Sequence, residues 1–207
     1  MAVSTAPESV IDCVGYARDY VVGLQHCLDA LNLDEVAEVI GYIHEAYARG
    51  KQVLIIGNGG SAGAATHMAA DLGKNILPEG YPDGARRLRA LSLADNVAWI
   101  TALANDLGYE YIFSEQIKNL VQEDDLVIAI SGSGKSPNIL EGMRAARHAG
   151  AKVVALLGFD GGPAKDLADA HVLVCAHRYG HIEDLHTMLI HLITSYLAWC
   201  NNAGGRV

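Results

Sequence analysis

Five short apolar segments separated by helix-like stretches constrain the fold of this chain more than any other feature. The first, QVLII at residues 52–56, is β-branched and apolar along almost its whole length, as expected of a strand buried on both faces. Strands that alternate with helices predict βαβ units and a parallel sheet covered on both sides. The other predicted strands are 88–93, 126–131, 152–157 and 171–175.

Two amphipathic stretches, 8–32 and 34–49, precede the first strand, and Gly50 is well placed to end the second of them. Further helices are predicted over 61–73, 95–107, 110–120, 137–149 and 181–200. The predicted fold class is therefore α/β, a three-layer αβα sandwich with a five-stranded parallel sheet, preceded by N-terminal helices.

Size and charge limit the classes of partner. The 207 residues fit one domain, 1–207, and the formal charge of −9 provides no general attraction to nucleic acid or to anionic lipid. Four cysteines without CxxC spacing indicate reduced thiols and a cytoplasmic protein. We see neither a signal peptide nor an apolar run near the roughly 18 residues of a membrane span, so no membrane partner is expected.

Two turns that follow predicted strands have the composition of an anion site. They read GNGGS at 57–61 and SGSGKSPN at 131–138. Glycines allow close backbone approach, helix N-termini present free N–H groups, and hydroxyls add uncharged donors. Each turn alone is also compatible with an ordinary strand-to-helix connection, since neither matches a P-loop or a full GxGxxG motif. Because ligands of open α/β sheets bind at the carboxyl ends of strands, the two together predict a small phosphorylated ligand.

Histidines and carboxylates recur on two predicted helices. His67 and Asp71 share a helix face at spacing i, i+4, and the last helix carries Glu183 and His191 among apolar residues. These side chains are either the exposed faces of amphipathic helices or a proton-transfer and metal-binding cluster.

Four motifs, GNGGSA, ANDLGYEYIF, ISGSGKSPN and LGFDGG, occur in this order and resemble the sugar isomerase (SIS) domain of bacterial phosphoheptose isomerases. The resemblance covers nearly the whole chain and implies a flavodoxin-like fold. It also implies a ketose–aldose isomerase that converts sedoheptulose 7-phosphate to D-glycero-D-manno-heptose 7-phosphate through an enediol. A homotetramer with sites at subunit interfaces is implied as well, with residues 1–50 as leading helices that contribute to oligomerisation.

The resemblance assigns a substrate site to the two turns, the Asn-Asp pair and Glu183 of the last helix. The positions are Asn58, Gly59, Gly60, Ser61, Asn105, Asp106, Ser131, Gly132, Ser133, Ser136 and Glu183. One departure lies in the second turn, where the family's threonine is replaced by Gly132, so that a hydroxyl is lost and the backbone N–H remains.

The same resemblance implies a divalent metal held by His67, Asp71, Glu183 and His191, with Asp for the family's Glu and Glu for its Gln. Two imidazoles and two carboxylates suit Zn²⁺. We expect Asp71 to act as the base that removes the carbon-bound proton and His191 to be its partner. A tightly ligated Asp71 would be a poor base, so the two roles compete.

Two alternatives remain open. One is a non-catalytic SIS protein that binds a sugar phosphate or a protein partner, although such a protein has no need of Asp71 and His191 at its ligand. The other is an isomerase of a different phosphosugar, which the Gly132, Asp71 and Glu183 departures allow.

Overall fold

A computed structural model describes residues 12–202 and contains a five-stranded sheet in the order β2-β1-β3-β4-β5. All neighbouring strands pair in parallel. The strands are β1 Gln52–Gly57, β2 Arg89–Ser92, β3 Leu126–Ser131, β4 Lys152–Gly158 and β5 Ala170–Val174. Every strand boundary lies within one residue of its predicted position, which confirms the predicted α/β sheet.

The described residues also form eight α-helices. They are α1 Cys13–Asp29, α2 Leu33–Arg49, α3 Gly60–Lys74, α4 Val97–Asp106, α5 Ser114–Leu120, α6 Pro137–His148, α7 Gly162–Leu167 and α8 Tyr179–Asn202. The predicted helix 110–120 is divided, because Tyr109–Tyr111 form a short 3-10 turn before α5. Helix α7 was not predicted, since six residues are too few for helical periodicity to show. The start of the first predicted helix, residues 8–11, and both ends of the predicted domain 1–207 lie outside the described residues.

Alternate residues of the central strands point into two separate hydrophobic cores, as the pleat of a β-strand requires. Ile55 faces the core that contains residues of α2, α3 and α8. Its neighbour Ile56 faces the opposite core, which contains residues of α5, α6 and α7. This arrangement confirms the three-layer αβα sandwich.

Helix α1 lies outside the sandwich and has no buried residue. Its apolar side chains are largely exposed, with Val14 at 70% and Tyr16 at 67% of their full accessibility. Within the described residues, no helix combines the length and the apolar character that crossing a membrane requires.

The strand order brings the two glycine-rich turns together. Strands β1 and β3 are neighbours in the sheet, and the chain leaves them in opposite directions toward β2 and β4. This is the switch point of a doubly wound sheet, where ligands bind beyond the carboxyl ends of the strands.

Candidate active site

The first turn presents the N-terminus of α3 without a side-chain cap. Gly59 has φ of 54°, a left-handed conformation that favours glycine, and α3 begins at Gly60 directly after it. Because Gly59 has no side chain, the first N–H groups of α3 lack a capping hydrogen bond from the N-cap residue. The turn therefore offers backbone donors and a partial positive charge to an anion, beside the buried Ser61.

The second loop, residues 131–136, is held in shape by its own hydroxyls. Ser131 Oγ accepts a hydrogen bond from the Gly134 N–H at 3.1 Å, and Ser133 Oγ accepts one from the Lys135 N–H at 3.2 Å. Because each of these oxygens acts as an acceptor, its O–H remains able to donate to a ligand. Ser136 is the N-cap of α6 but makes no capping hydrogen bond, so its hydroxyl is available too.

A pair of asparagines joins the two turns. Asn58 and Asn138 exchange side-chain hydrogen bonds of 2.9 and 2.8 Å, and Asn138 is buried. The Tyr109 hydroxyl also donates to Asn58 Oδ1, at 3.2 Å. Both Asn138 and Tyr109 lie inside motifs recognised in the sequence, but neither was assigned a role there.

A cavity of about 130 Å³ lies between the two turns. Its lining consists of Asn58, Ser61, Ile130, Ser131, Gly132, Ser133, Ser136, Tyr179 and Glu183. A second cavity of about 220 Å³ shares Ser61, Ile130 and Glu183 with the first. Most of the residues predicted from the two turns therefore surround one polar space.

Asn105 and Asp106 lie at the end of α4 and are exposed. Asn105 Nδ2 donates to Asp106 Oδ1 at 2.8 Å, and neither side chain hydrogen-bonds to another predicted site residue within the described chain. Their predicted substrate contact stays a prediction.

Helices α3 and α8 run side by side in the same direction. Two close contacts between them, one near their starts and one further along, show this. Near their starts, a Cβ added to Gly60 would lie 2.8 Å from a Glu183 carboxylate oxygen. Further along, the Nε2 atoms of His67 and His191 are 3.2 Å apart. Glycine at position 60 thus leaves room for the Glu183 carboxylate beside the α3 N-terminus.

Three predicted metal ligands converge where α3 and α8 meet. His67 Nε2 lies 3.3 Å from Asp71 Oδ2, and one ligand atom each from His67, Asp71 and His191 fall within 4.8 Å of one another. A tetrahedral zinc with ligands at about 2 Å holds its ligand atoms about 3.3 Å apart. The donor types therefore fit a divalent metal, as do the separations of His67 from Asp71, 3.3 Å, and from His191, 3.2 Å. Asn75 donates to Asp71 Oδ1 at 2.6 Å and orients the carboxylate.

Glu183 is not part of this cluster in a single chain. It precedes His191 by eight residues on α8, which corresponds to about 12 Å along a helix axis. The predicted four-residue metal set is thus divided within one chain into three convergent residues and one carboxylate at the 130 Å³ cavity.

His186 is a buried histidine that the sequence did not single out as functional. It is 1% exposed and contributes to the lining of the 220 Å³ cavity. Neither ring nitrogen has a hydrogen-bond partner among residues 12–202. Burial lowers the pKa of His186 to about 4, and the neighbouring Leu157 backbone opposes this shift without reaching hydrogen-bond geometry. The imidazole is therefore neutral near physiological pH.

A parallel sheet with two uncapped or hydroxyl-rich turns at its switch point, and a histidine–carboxylate cluster beside them, is an architecture suited to an enzyme of a small phosphorylated ligand. Residues 16–158 match the family model described as the SIS domain. The chain belongs to the SIS-domain family and, within it, to the phosphoheptose isomerases, which confirms the resemblance seen in the motifs.

Individual relatives agree with this assignment. A phosphoheptose isomerase of Nitratiruptor sp. is 39% identical over 153 residues, which are 74% of this chain and 79% of the relative. A probable phosphoheptose isomerase of Thermoplasma acidophilum is 34% identical over 167 residues, or 81% of this chain and 89% of the relative. The solved phosphoheptose isomerase of Francisella tularensis aligns with a TM-score of 0.81 and 27% identity, covering 93% of this chain and 99% of that one.

Proposed function

We propose that this protein is an aldose–ketose isomerase that converts sedoheptulose 7-phosphate to D-glycero-D-manno-heptose 7-phosphate through an enediol. The observation that carries the proposal is the joint placement of two anion-binding turns and a histidine–carboxylate cluster beside one parallel sheet. The named activity of the relatives supports the same substrate class.

The turns would hold the phosphate and the first hydroxyls of the sugar. Backbone N–H groups at the start of α3 and the hydroxyls of Ser131, Ser133 and Ser136 provide neutral donors around the 130 Å³ cavity. The lysine of the loop, Lys135, pairs instead with Asp160 at 3.2 Å. In an acidic chain, fixed neutral donors of this kind bind a phosphate locally without attracting polyanions.

Isomerisation moves a proton between neighbouring carbons, which requires a base at carbon and a proton partner at oxygen. In the proposal, Asp71 removes the carbon-bound proton, and His191 exchanges a proton with the sugar oxygen. The hydrogen bond from Asn75 at 2.6 Å holds one carboxylate oxygen of Asp71 and directs the other toward His67. The base and its partner thus occupy one small volume at the contact of α3 and α8.

Zinc is the metal that we propose for the cluster of His67, Asp71 and His191. When bound, it would polarise a sugar oxygen as a Lewis acid and stabilise the negative charge that develops there. Asp71 acts as base only if its ligation is partial, so the metal and the base role are tested separately below.

We further propose a homotetramer with its active sites between subunits. Two observations support it: Glu183 lies too far from His191 on the same helix to share one metal within a chain, and α1 exposes a row of apolar side chains. Glu183 would then complete the cluster of a neighbouring subunit. Size-exclusion chromatography with light scattering tests this, and a monomer would contradict it.

A cytoplasmic location forms part of the proposal. All four cysteines are free, as expected for a reducing compartment, and no described helix qualifies as a membrane span. Fractionation of cells that express the protein, with blotting of each fraction, tests this location.

The activity test incubates the purified protein with sedoheptulose 7-phosphate, with and without added zinc, and follows the aldose product by NMR. We expect turnover that falls at least about 100-fold in Asp71→Asn and His191→Ala. His44→Ala, an exposed histidine of α2, is the matched control. Absence of aldose from the wild type would overturn the substrate assignment, and binding of the sugar phosphate without any turnover would favour the non-catalytic alternative.

Metal dependence is tested on the same protein by elemental analysis before and after chelation. We expect bound zinc in the wild type and loss of most of it in His67→Ala. Full activity of a protein shown to be free of metal would remove zinc from the mechanism and leave Asp71 as the base.

A further inference from the structure

Tyr179 lies where a side chain at position 132 would extend. It is the first residue of α8, and it lines the 130 Å³ cavity together with the serines of the second loop. A Cβ added to Gly132 would lie 3.1 and 3.2 Å from two carbons of the Tyr179 ring. These distances are closer than ordinary van der Waals contact, so the ring occupies the space above Gly132.

The backbone of position 132 does not itself require glycine. Gly132 is absent from the glycines with positive φ, unlike Gly134 in the same loop, whose φ is 61°. A residue with a Cβ is therefore compatible with the backbone and is obstructed by the tyrosine ring. Gly132 and Tyr179 are complementary in shape, because the small residue leaves room for the large one.

The Tyr179 ring also packs against Phe159. The two ring centroids are 4.9 Å apart at an interplanar angle of 76°, an edge-to-face contact. Phe159 has φ of 50°, which is rare for a bulky residue and persists only where the surroundings hold it. Tyr179 thus packs against Phe159, and its ring forms part of the wall of the cavity.

The Tyr179 hydroxyl makes no hydrogen bond to any residue of the described chain, and the residue is 57% exposed. Its donor is consequently free for a ligand. A neutral phenol provides a hydrogen-bond donor for a phosphate without adding charge. This suits a cavity that the Glu183 carboxylate already lines.

We propose that Tyr179 is a substrate-contacting residue whose hydroxyl donates a hydrogen bond to the phosphoryl group held by the 131–136 loop. It supplies the hydroxyl that position 132 lacks, and its ring closes that side of the cavity. The inference rests on the proposed function for the identity of the ligand as a sugar phosphate. The contact itself is to a phosphate, so it can be tested without turnover.

The first experiment compares Tyr179→Phe with the wild type in two measurements, calorimetric titration with inorganic phosphate and steady-state isomerisation of sedoheptulose 7-phosphate. A hydrogen bond to a charged group corresponds to about a ten-fold or greater effect on affinity. We expect phosphate affinity to fall and KM to rise by about ten-fold, with kcat within about two-fold. Tyr81→Phe, an exposed tyrosine in the segment between α3 and β2, should match the wild type.

The second experiment exchanges the two side chains. Gly132→Thr alone should weaken phosphate binding, because its Cβ displaces the ring. In the Tyr179→Ala background the same threonine has room, so it should restore part of the lost affinity. Gly132→Thr should therefore lower phosphate affinity in the wild type and raise it in the Tyr179→Ala variant. A double-mutant cycle measures this reversal.

Unchanged phosphate affinity and KM in Tyr179→Phe would overturn the inference while leaving the proposed isomerase intact. A wild type that does not isomerise the sugar, but whose phosphate affinity falls in Tyr179→Phe, would overturn the proposed function alone. A Tyr179→Phe variant that fails to fold would also count against the inference, since it would make the hydroxyl a structural group.

Discussion

Asn58 Nδ2 donates to Asn138 Oδ1 at 2.9 Å, and Asn138 Nδ2 donates back to Asn58 Oδ1 at 2.8 Å. The two residues are 80 positions apart in the chain and follow neighbouring strands of the sheet. Their paired amides join the start of α3 to the start of α6 and set the separation of the two turns. The cavity between the turns is thereby shaped before a ligand arrives.

Replacing Asn58 with alanine should destabilise the protein by about 1–3 kcal/mol, because the buried Asn138 amide would lose its partner. Urea denaturation measures the change in the free energy of unfolding. Asn119→Ala removes an exposed asparagine of α5 and should change it by less than about 0.5 kcal/mol. Equal effects of the two substitutions would show that the paired amides contribute nothing specific.

Gly134→Ala should be strongly destabilising. Position 134 has φ of 61°, and an added Cβ would overlap the Gly161 carbonyl oxygen. The expected loss is about 2 kcal/mol or more in chemical denaturation, with a matching loss of phosphate binding.

Gly63→Ala is the matched control for that substitution. Gly63 is an exposed position inside α3, where an added Cβ meets no atom of the described chain within 4 Å. Alanine should stabilise the helix there by about 0.5–1 kcal/mol. A Gly134→Ala protein as stable as the wild type would contradict the described conformation of the loop.

The buried His186 should make stability depend on pH. Its pKa is about 4 in the folded chain, against an ordinary value of 6.5, so the unfolded chain binds the extra proton between these values. This contribution to stability is complete above about pH 6.5 and falls by about 1 kcal/mol per pH unit as the pH drops toward 4.

His186→Leu should remove that contribution, which denaturation at about pH 7 and about pH 5 detects as a smaller difference between the two conditions. The exposed His44→Leu should keep the wild-type difference. If both variants retain the full pH dependence, His186 is not its source.

Removing the charge of Glu183 should strengthen phosphate binding. Its carboxylate lines the 130 Å³ cavity and lies against Gly60 at the α3 N-terminus, where a phosphate would bind. Glu183→Gln keeps the shape and removes the repulsion, so inorganic phosphate should bind about five-fold more tightly in calorimetry. Glu38→Gln, on the exposed side of α2, should leave the affinity unchanged. Weaker phosphate binding in Glu183→Gln would mean that the carboxylate assists the anion site indirectly.

The sequence alone was sufficient to predict the sheet and most of its helices. A strand such as β1 is covered on both faces, so its apolar run is unambiguous, and turns rich in glycine mark where it ends. Short elements were less visible: α7 has only six residues, and it begins directly after Gly161 with Gly162 and Pro163, a composition typical of a turn. The same local chemistry located both turns that we propose to bind an anion, because glycines and serines act through the backbone next to them.

Which distant side chains meet was decided only by the tertiary structure. The parallel arrangement of α3 and α8 brings His67 close to His191. Glu183, about two turns before His191 on α8, lies instead beside Gly60 at the start of α3. The burial of His186 and the position of Tyr179 over Gly132 likewise depend on how helices rest on the sheet. Local sequence sets the periodicity of a helix, whereas its rotation and register against a neighbour follow from the fit of side chains far apart in the chain.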